Sequence, residues 1–229
     1  MSIFAIADPH LSIAVDKPMD LFGGNWERHT ERLAENWRAV VEPEDTVLVG
    51  GDLSWGLTFE EAKPDLDFLH ELPGRKILFK GNHDLWWRGI TRLNRLYDDM
   101  VFVQNTAVAV EDVVIAGTRG WNVPGSADWE PHDEKIYVRE VQRLEMSLKA
   151  AKRLSDAQIN VQLHFPPFSE QNAPTGFTEH CEAYGVSTVL YGHVHGGAAQ
   201  SRLFRGERNG ITYYNVACDY LNCMPKKVR

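Results

Sequence analysis

Thr46-Val47-Leu48-Val49-Gly50-Gly51-Asp52 is the stretch that decides the fold. A short apolar run is stopped by glycine, and a carboxylate follows at once. That is the pattern of a buried strand ending in a tight turn. Two more stretches repeat it. Ile3–Ala7 runs into Asp8-Pro9-His10, and Lys76–Phe79 is followed by Gly81-Asn82-His83-Asp84. Between the first two, Trp26, Thr30, Leu33, Trp37 and Val40 recur at helical spacing. Between the second and third, Phe59, Ala62, Leu66 and Leu69 do the same, with Pro64 expected to delay the helix start. Strand and helix in alternation predict βαβ units and a mostly parallel sheet.

Further along, Val101–Val103, Thr106–Val110 and Val113–Gly117 read as strands, with Glu111-Asp112 as a tight hairpin connection. A polar segment, residues 120–133, precedes a helix whose apolar face is Val141, Leu144, Leu148, Ala151 and Leu154. Ile159–Leu163 and Thr188–Tyr191 return to strand pattern. Ser201–Phe204 and Ile211–Val216 read as closing antiparallel strands, and the segment through Cys218-Asp219-Tyr220 as an edge cover. No repeat, linker or low-complexity tract divides the chain. The expectation is one α/β domain over residues 1–229, with sheets stacked face to face and helices outside.

Composition bounds the function. The chain has 229 residues, 43% hydrophobic and 24% charged, as ordinary globular domains do. A net charge of −8 argues against a long nucleic-acid partner, which needs clustered Lys and Arg. Cys181, Cys218 and Cys223 have no metal-type spacing and read as free thiols of a reducing compartment. No apolar run reaches the length of a membrane span, and Ile3–Ala7 is too short for a signal core. A cytoplasmic location is the expectation.

Chemistry gathers where the strands end. Asp8 and His10, then Asp52, then Asn82, His83 and Asp84, then His164, then His193 and His195 each follow a strand directly. The carboxyl ends of strands in an open α/β sheet converge on a crevice, which gives separate segments a common destination. In Asp8-Pro9-His10 and His193-Val194-His195, alternate residues of an extended segment point to the same side. Two cations held about 3.5–4 Å apart need a shared carboxylate and a mixed nitrogen and oxygen shell. Imidazoles in that shell suit Mn, Fe, Zn, Ni or Co better than Mg or Ca.

In these blocks the chain resembles the calcineurin-like metallophosphoesterases, whose signature runs Asp-x-His, Gly-Asp, Gly-Asn-His-Asp/Glu, a lone His, then Gly-His-x-His. The matching positions extend from Asp8 to His195. The resemblance implies a four-layer α/β/β/α sandwich of mixed sheets and a dinuclear centre of two divalent or trivalent transition-metal ions, Mn or Fe first. It assigns Asp8, His10 and His195 to one ion and Asn82, His164 and His193 to the other, with Asp52 shared. It further implies in-line attack on phosphorus by a metal-bridging hydroxide. His83 would stabilise the transition state or protonate the leaving oxygen, and Asp84 would orient it. The implied substrate is a small-molecule phosphate ester or nucleotide, which Asn82 would touch. Arg119, in the glycine-flanked loop Gly117-Thr118-Arg119-Gly120, has two readings, contact with a substrate phosphate or a salt bridge. The chain departs from the protein phosphatases of this superfamily, which continue Gly-Asp into a segment with a phosphate-binding arginine. Here Leu53-Ser54-Trp55-Gly56 follows Asp52, and Asp84 stands where they carry Glu.

Two other functions stay in view. One is a nuclease or phosphodiesterase acting on nucleic acid. The other is a non-catalytic scaffold, against which stands the full set of donors. Trp55, Trp86, Trp87 and Trp121 have two readings, buried packing or an apolar rim that stacks a flat group of the substrate. Residues 11–25 and 120–133 flank donor loops and are the candidate specificity elements. His29, His70, His132 and His180 match no motif and read as surface or packing residues.

Overall fold

The computed structural model describes residues 1–229, which form two compact units: Met1–Phe102 with Val216–Arg229, and Val103–Asn215. The fold is mixed α/β, with one mixed sheet in each unit.

In the first unit the chain order is β1 (Ile3–Ile6), α1 (His29–Val40), β2 (Thr46–Val49), α2 (Phe59–His70), β3 (Arg75–Leu78), α3 (Ile90–Leu93) and β4 (Met100–Phe102). These four strands pair in parallel in the order β1-β2-β3-β4. Leu33 and Trp37 of α1 and Leu66 and Leu69 of α2 pack with Phe4, Ile6, Val47 and Val49 into one core. The strands carry no polar alternation because all of β1 and β2 is buried, as parallel strands buried on both faces are.

Helix α1 begins at His29, so Trp26 lies outside it, in a short 3-10 turn, Gly24–Trp26, and fills the core from there. The helical spacing of Trp26 was real, but Glu27 is extended, at φ −60° and ψ 122°, and Arg28 is left-handed at φ 50°, which breaks the helix between Trp26 and His29. Pro64 does not delay α2, which starts at Phe59. The Thr58 hydroxyl accepts from the Glu61 amide and the Glu61 carboxylate accepts from the Thr58 amide, a capping box that sets the start.

The second unit contains β5 (Val108–Val110), β6 (Val113–Thr118), α4 (Asp133–Leu154), β7 (Gln158–Leu163), α5 (Gly176–Ala183), β8 (Val186–Tyr191), α6 (Gly197–Gln200), β9 (Gly206–Arg208) and β10 (Ile211–Asn215). The sheet order is β5-β6-β7-β8-β10-β9, parallel throughout except for the edge pairs β5–β6 and β10–β9. Glu111 and Asp112 form the expected two-residue hairpin, with Val110 opposite Val113 and Glu111 at φ 52°. Leu144, Leu148 and Ala151 of α4 pack on Ile159, Val161 and Leu163 of β7, joined by Phe177 and Cys181 of α5.

The chain's end corrects the sequence reading. Residues 201–204 are not a strand: they continue the turn that follows α6, and Leu203 and Phe204 are half-buried against the core. Ile211–Asn215 runs parallel to β8, and its antiparallel partner is β9. Asn209 and Gly210, both at positive φ, make the two-residue turn between them. The last strand, β11 (Lys226–Lys227), pairs antiparallel with β1 at the edge of the first unit's sheet. All three cysteines are free and buried.

Candidate active site

Because β1, β2 and β3 are parallel, the turns after them leave one edge of the first sheet. The first two turns are bound to each other: the Asp8 amide donates to the Gly51 carbonyl at 3.0 Å and the His10 amide to the Asp52 carbonyl at 2.9 Å. This ladder is made by residues forced left-handed, with Asp8 at φ 58°, His10 at 44° and Asp52 at 50°. Such φ values are uncommon for non-glycine residues and gather at functional sites, where surrounding bonds hold the strain.

The third turn is fitted against Asp52. A Cβ on Gly81 would lie 2.0 Å from Asp52 Oδ1, so only glycine allows the approach. Asp52 Oδ1 accepts from the His83 amide at 2.8 Å, and Oδ2 stands 3.8 Å from His10 Nε2. The fully buried Asp84 carboxylate takes the Gly81 amide at 2.7 Å on one oxygen and the Leu53 amide at 2.9 Å on the other. Asp84 thereby fastens the turn that carries Asn82 and His83 to the loop that carries Asp52. Asn82 and His83 themselves are half-buried.

Trp55 is part of this wall. Its indole stacks on the His10 ring at 4.7 Å and 18°, and tilts over the His83 ring at 4.3 Å. Trp86 and Trp87 are core packing, 2% and 4% exposed, with Trp87 edge-on to Phe102. Two residues that no motif marks support the same loops. His29 places Nε2 3.1 Å from the Pro9 carbonyl, and burial draws its pKa down. Asp65, on α2, accepts from the Ile13 amide at 2.8 Å and from the Ser54 hydroxyl. Helical spacing placed α2 in the sequence, and Asp65 beside buried Leu66 was the one available sign that a charge faces inward.

In the second unit, β7 ends in His164 and β8 in Gly192-His193-Val194-His195. The Gly192 amide donates to the His164 carbonyl at 2.9 Å, and the His164 amide to the Arg119 carbonyl at 2.9 Å. His193 is left-handed at φ 71°, and its Nδ1 lies 3.2 Å from His164 Nε2. Two imidazole nitrogens at this distance either share a proton or aim both lone pairs at a cation. Phe165 packs on the His193 ring at 3.8 Å between centroids. His195 is half-buried two residues further on.

Arg119 donates to Glu140 at 3.2 Å and lies over the Trp121 ring at 4.3 Å. Glu140 is fully buried and also accepts from Thr118 and Arg143, both at 2.7 Å. Burial lowers the Arg119 pKa, and the Glu140 carboxylate opposes that shift. His70, His132 and His180 have local partners, Asp99, Glu130 and the Gly176 carbonyl.

The donor chemistry fits metal ions. Asp8, His10, Asp52 and His164 are each no more than 2% exposed, and buried carboxylates are tolerated only when charge is balanced. Carboxylate oxygens mixed with imidazole nitrogens suit divalent transition ions. Asp8, His10, Asp52 and Asn82 are the candidate donors of the first unit, and His164, His193 and His195 those of the second.

Parallel strands that end in left-handed carboxylate and imidazole turns present donors of the kind that metal-dependent enzymes use. The sequence matches the calcineurin-like phosphoesterase family over residues 1–197, and the chain belongs to that family. Among curated proteins it is similar to the Gene 66 protein of Mycobacterium phage D29, 38% identical over 101 residues, which are 43% of this chain and 48% of that protein. The Gene 66 protein of Mycobacterium phage L5 is 43% identical over 58 residues, 25% of this chain and 28% of that one. The chain thus spans half or less of the curated relatives it matches.

Solved structures share its fold at low identity. A protein of unknown function from Aquifex aeolicus has a TM-score of 0.53 and 18% identity, covering 99% of this chain and 95% of that one. Phosphopantetheinyl hydrolase from Mycobacterium tuberculosis gives 0.54 and 14%, over 99% and 95%. A Thermus thermophilus protein gives 0.56 and 16%, over 84% and 81%. No helix of the chain is long and apolar enough to cross a membrane.

Proposed function

We propose that the chain hydrolyses phosphate esters in a reaction that depends on two transition-metal ions, Mn or Fe first. Asp8, His10, Asp52, Asn82, His164, His193 and His195 serve as ligands, and Asp52 is shared. The observation that carries this reading is the ladder of left-handed residues that aligns Asp8, His10 and Asp52 beside the Gly81 turn. When bound, the two ions supply Lewis-acid activation of water near neutral pH and offset charge on the phosphoryl oxygens.

The chain's own residues do the rest. Asp84 and Gly81 hold His83 against the Asp52 loop, and the Trp55 indole fixes the planes of the His10 and His83 rings. As an imidazolium, His83 donates a proton to the leaving oxygen, so that an alcohol departs in place of an alkoxide. Asn82 and Arg119 are the proposed contacts to the substrate phosphate. Phosphoryl transfer rests on positioning and electrostatics, so no covalent protein nucleophile is needed. A small-molecule phosphate ester or nucleotide agrees with the charge of −8. The cysteine pattern supports a cytoplasmic protein.

The test is a metal panel. Metal-free protein reconstituted with Mn²⁺, Fe²⁺, Zn²⁺, Ni²⁺ or Mg²⁺ is assayed on p-nitrophenyl phosphate, bis-p-nitrophenyl phosphate and then nucleotides. Turnover with a transition ion is expected, abolished in Asp52→Asn and reduced about 10²–10⁴-fold in kcat in His83→Ala. No turnover by folded, metal-loaded protein would leave the scaffold reading. Preference for oligonucleotides would leave the nuclease reading.

A further inference from the structure

Next to the His193 ring, within the second unit, lies a cavity of about 220 Å³. Its walls come from the 120–133 segment, from the loop after His164, and from residues 199–204. The lining is aromatic. Trp121 and Phe165 meet at 5.1 Å, Phe165 lies on His193 at 3.8 Å, and Phe168 and Phe204 meet at 4.7 Å. Apolar cavities of about 150 Å³ hold a benzene ring in other proteins, so this volume accepts one ring with a short arm.

Several polar side chains around the cavity are committed to their own loops. The Ser126 hydroxyl donates to the Val123 carbonyl at 2.8 Å, Ser169 accepts from the Ala173 amide at 3.1 Å, and the Trp121 N–H goes to Asp133 at 2.7 Å. Glu170 accepts from the Ala127 amide at 3.2 Å. A sugar would find few groups to exchange for its lost water, which makes its burial costly. Glu170 and Asp128 at the rim are balanced by Arg202 and by Arg208, whose guanidinium lies 5.3 Å from the Phe168 ring centre. No excess of positive charge is left to draw in a second phosphate.

We infer that this cavity is the pocket for the alcohol arm of the ester, and that the arm is an uncharged flat or apolar group. The inference rests on the proposed hydrolysis, since His193 is both a proposed metal ligand and part of the pocket's wall. It assigns the 120–133 segment a specificity role. It also separates the four tryptophans that follow donor loops. Trp121 faces the substrate arm, Trp55 packs on the histidines, and Trp86 and Trp87 are core.

The experiment compares 2-phenylethyl phosphate with ethyl phosphate on Mn²⁺-reconstituted protein, together with the methyl diester of each. The two alcohols are similar in acidity, so the chemical step is matched. Wild type is expected to favour the phenylethyl compounds by about tenfold or more in kcat/KM. Ala199→Trp and Ala127→Trp, at exposed positions on separate segments of the lining, are expected to bring the ratio to near one. Equal kcat/KM in wild type, or a ratio unchanged in both variants, overturns the pocket. Calorimetric titration with 2-phenylethanol separates this result from failure of the hydrolysis. Binding to wild type that both variants weaken, without turnover of any ester, supports the pocket and sinks the hydrolase. No binding and no turnover sinks both.

Discussion

Asp65 shows how a residue outside every motif shapes the donor loops. It is fully buried on α2, yet it binds the Ile13 amide, three residues past His10, and the Ser54 hydroxyl, two residues past Asp52. Burial raises its pKa above the ordinary 3.8, and the two hydrogen bonds only partly oppose that. The folded chain therefore keeps a proton that the unfolded chain releases as pH climbs past 3.8. The stability gained by keeping it is full below 3.8 and is lost as pH rises from there through the folded value. Asp65→Asn can keep both hydrogen bonds, accepting from Ile13 and donating to the Ser54 oxygen, and it has no proton to lose. Its melting temperature, taken relative to wild type, should thus rise between pH 4 and pH 7. Calorimetry across that range checks this, and a difference that stays constant with pH counts against a proton held by Asp65.

At the scale of elements, α2 depends on its first turn. Three of its early features conflict: a capping box at Thr58, acidic Glu60 and Glu61 near the N-terminus, and Pro64 in the second turn. The first two favour a start at Phe59 and the third leaves a carbonyl without its amide. Thr58→Ala should cost about 0.5–2 kcal/mol, measured by urea unfolding, with no change in m-value. A loss below about 0.3 kcal/mol would mean that packing of Leu66 and Leu69 alone sets the start. The same competition decides what was legible in the sequence. Strands β1, β2 and β3 were readable because short apolar runs end in glycine or aspartate, and the donor positions followed from those ends. Helix α4 was readable from its apolar face. Residues 201–204 misled because Leu203 and Phe204 are apolar for the sake of a core and a pocket rather than a sheet. Asn209-Gly210 is a two-residue hairpin sequence, and it joins β9 to β10. Helix α5 is eight residues long, too short for its spacing to stand out. The partners of Asp65, His29 and Trp55 were out of reach, because nothing local to these residues shows which distant loop they meet.

For the whole molecule, the donor set ties stability to metal content. The seven proposed ligands lie far apart in sequence, and an unfolded chain does not hold them in place. Each ion that binds the native state alone stabilises it by about 2.7 kcal/mol at a free concentration of 100 times Kd. In a domain of this size each kcal/mol moves the melting temperature by about 2–4 °C, so each bound ion should raise it by about 5–11 °C. Chelation should reverse the rise. Asp52→Asn and His195→Ala should each lose at least half of the metal-dependent shift. The measurement is scanning calorimetry of metal-free and reconstituted protein, wild type and both variants. If wild type melts at the same temperature with and without every ion tested, the seven residues do not form a metal site. If only one variant loses the shift, the residue altered in the other is not a ligand.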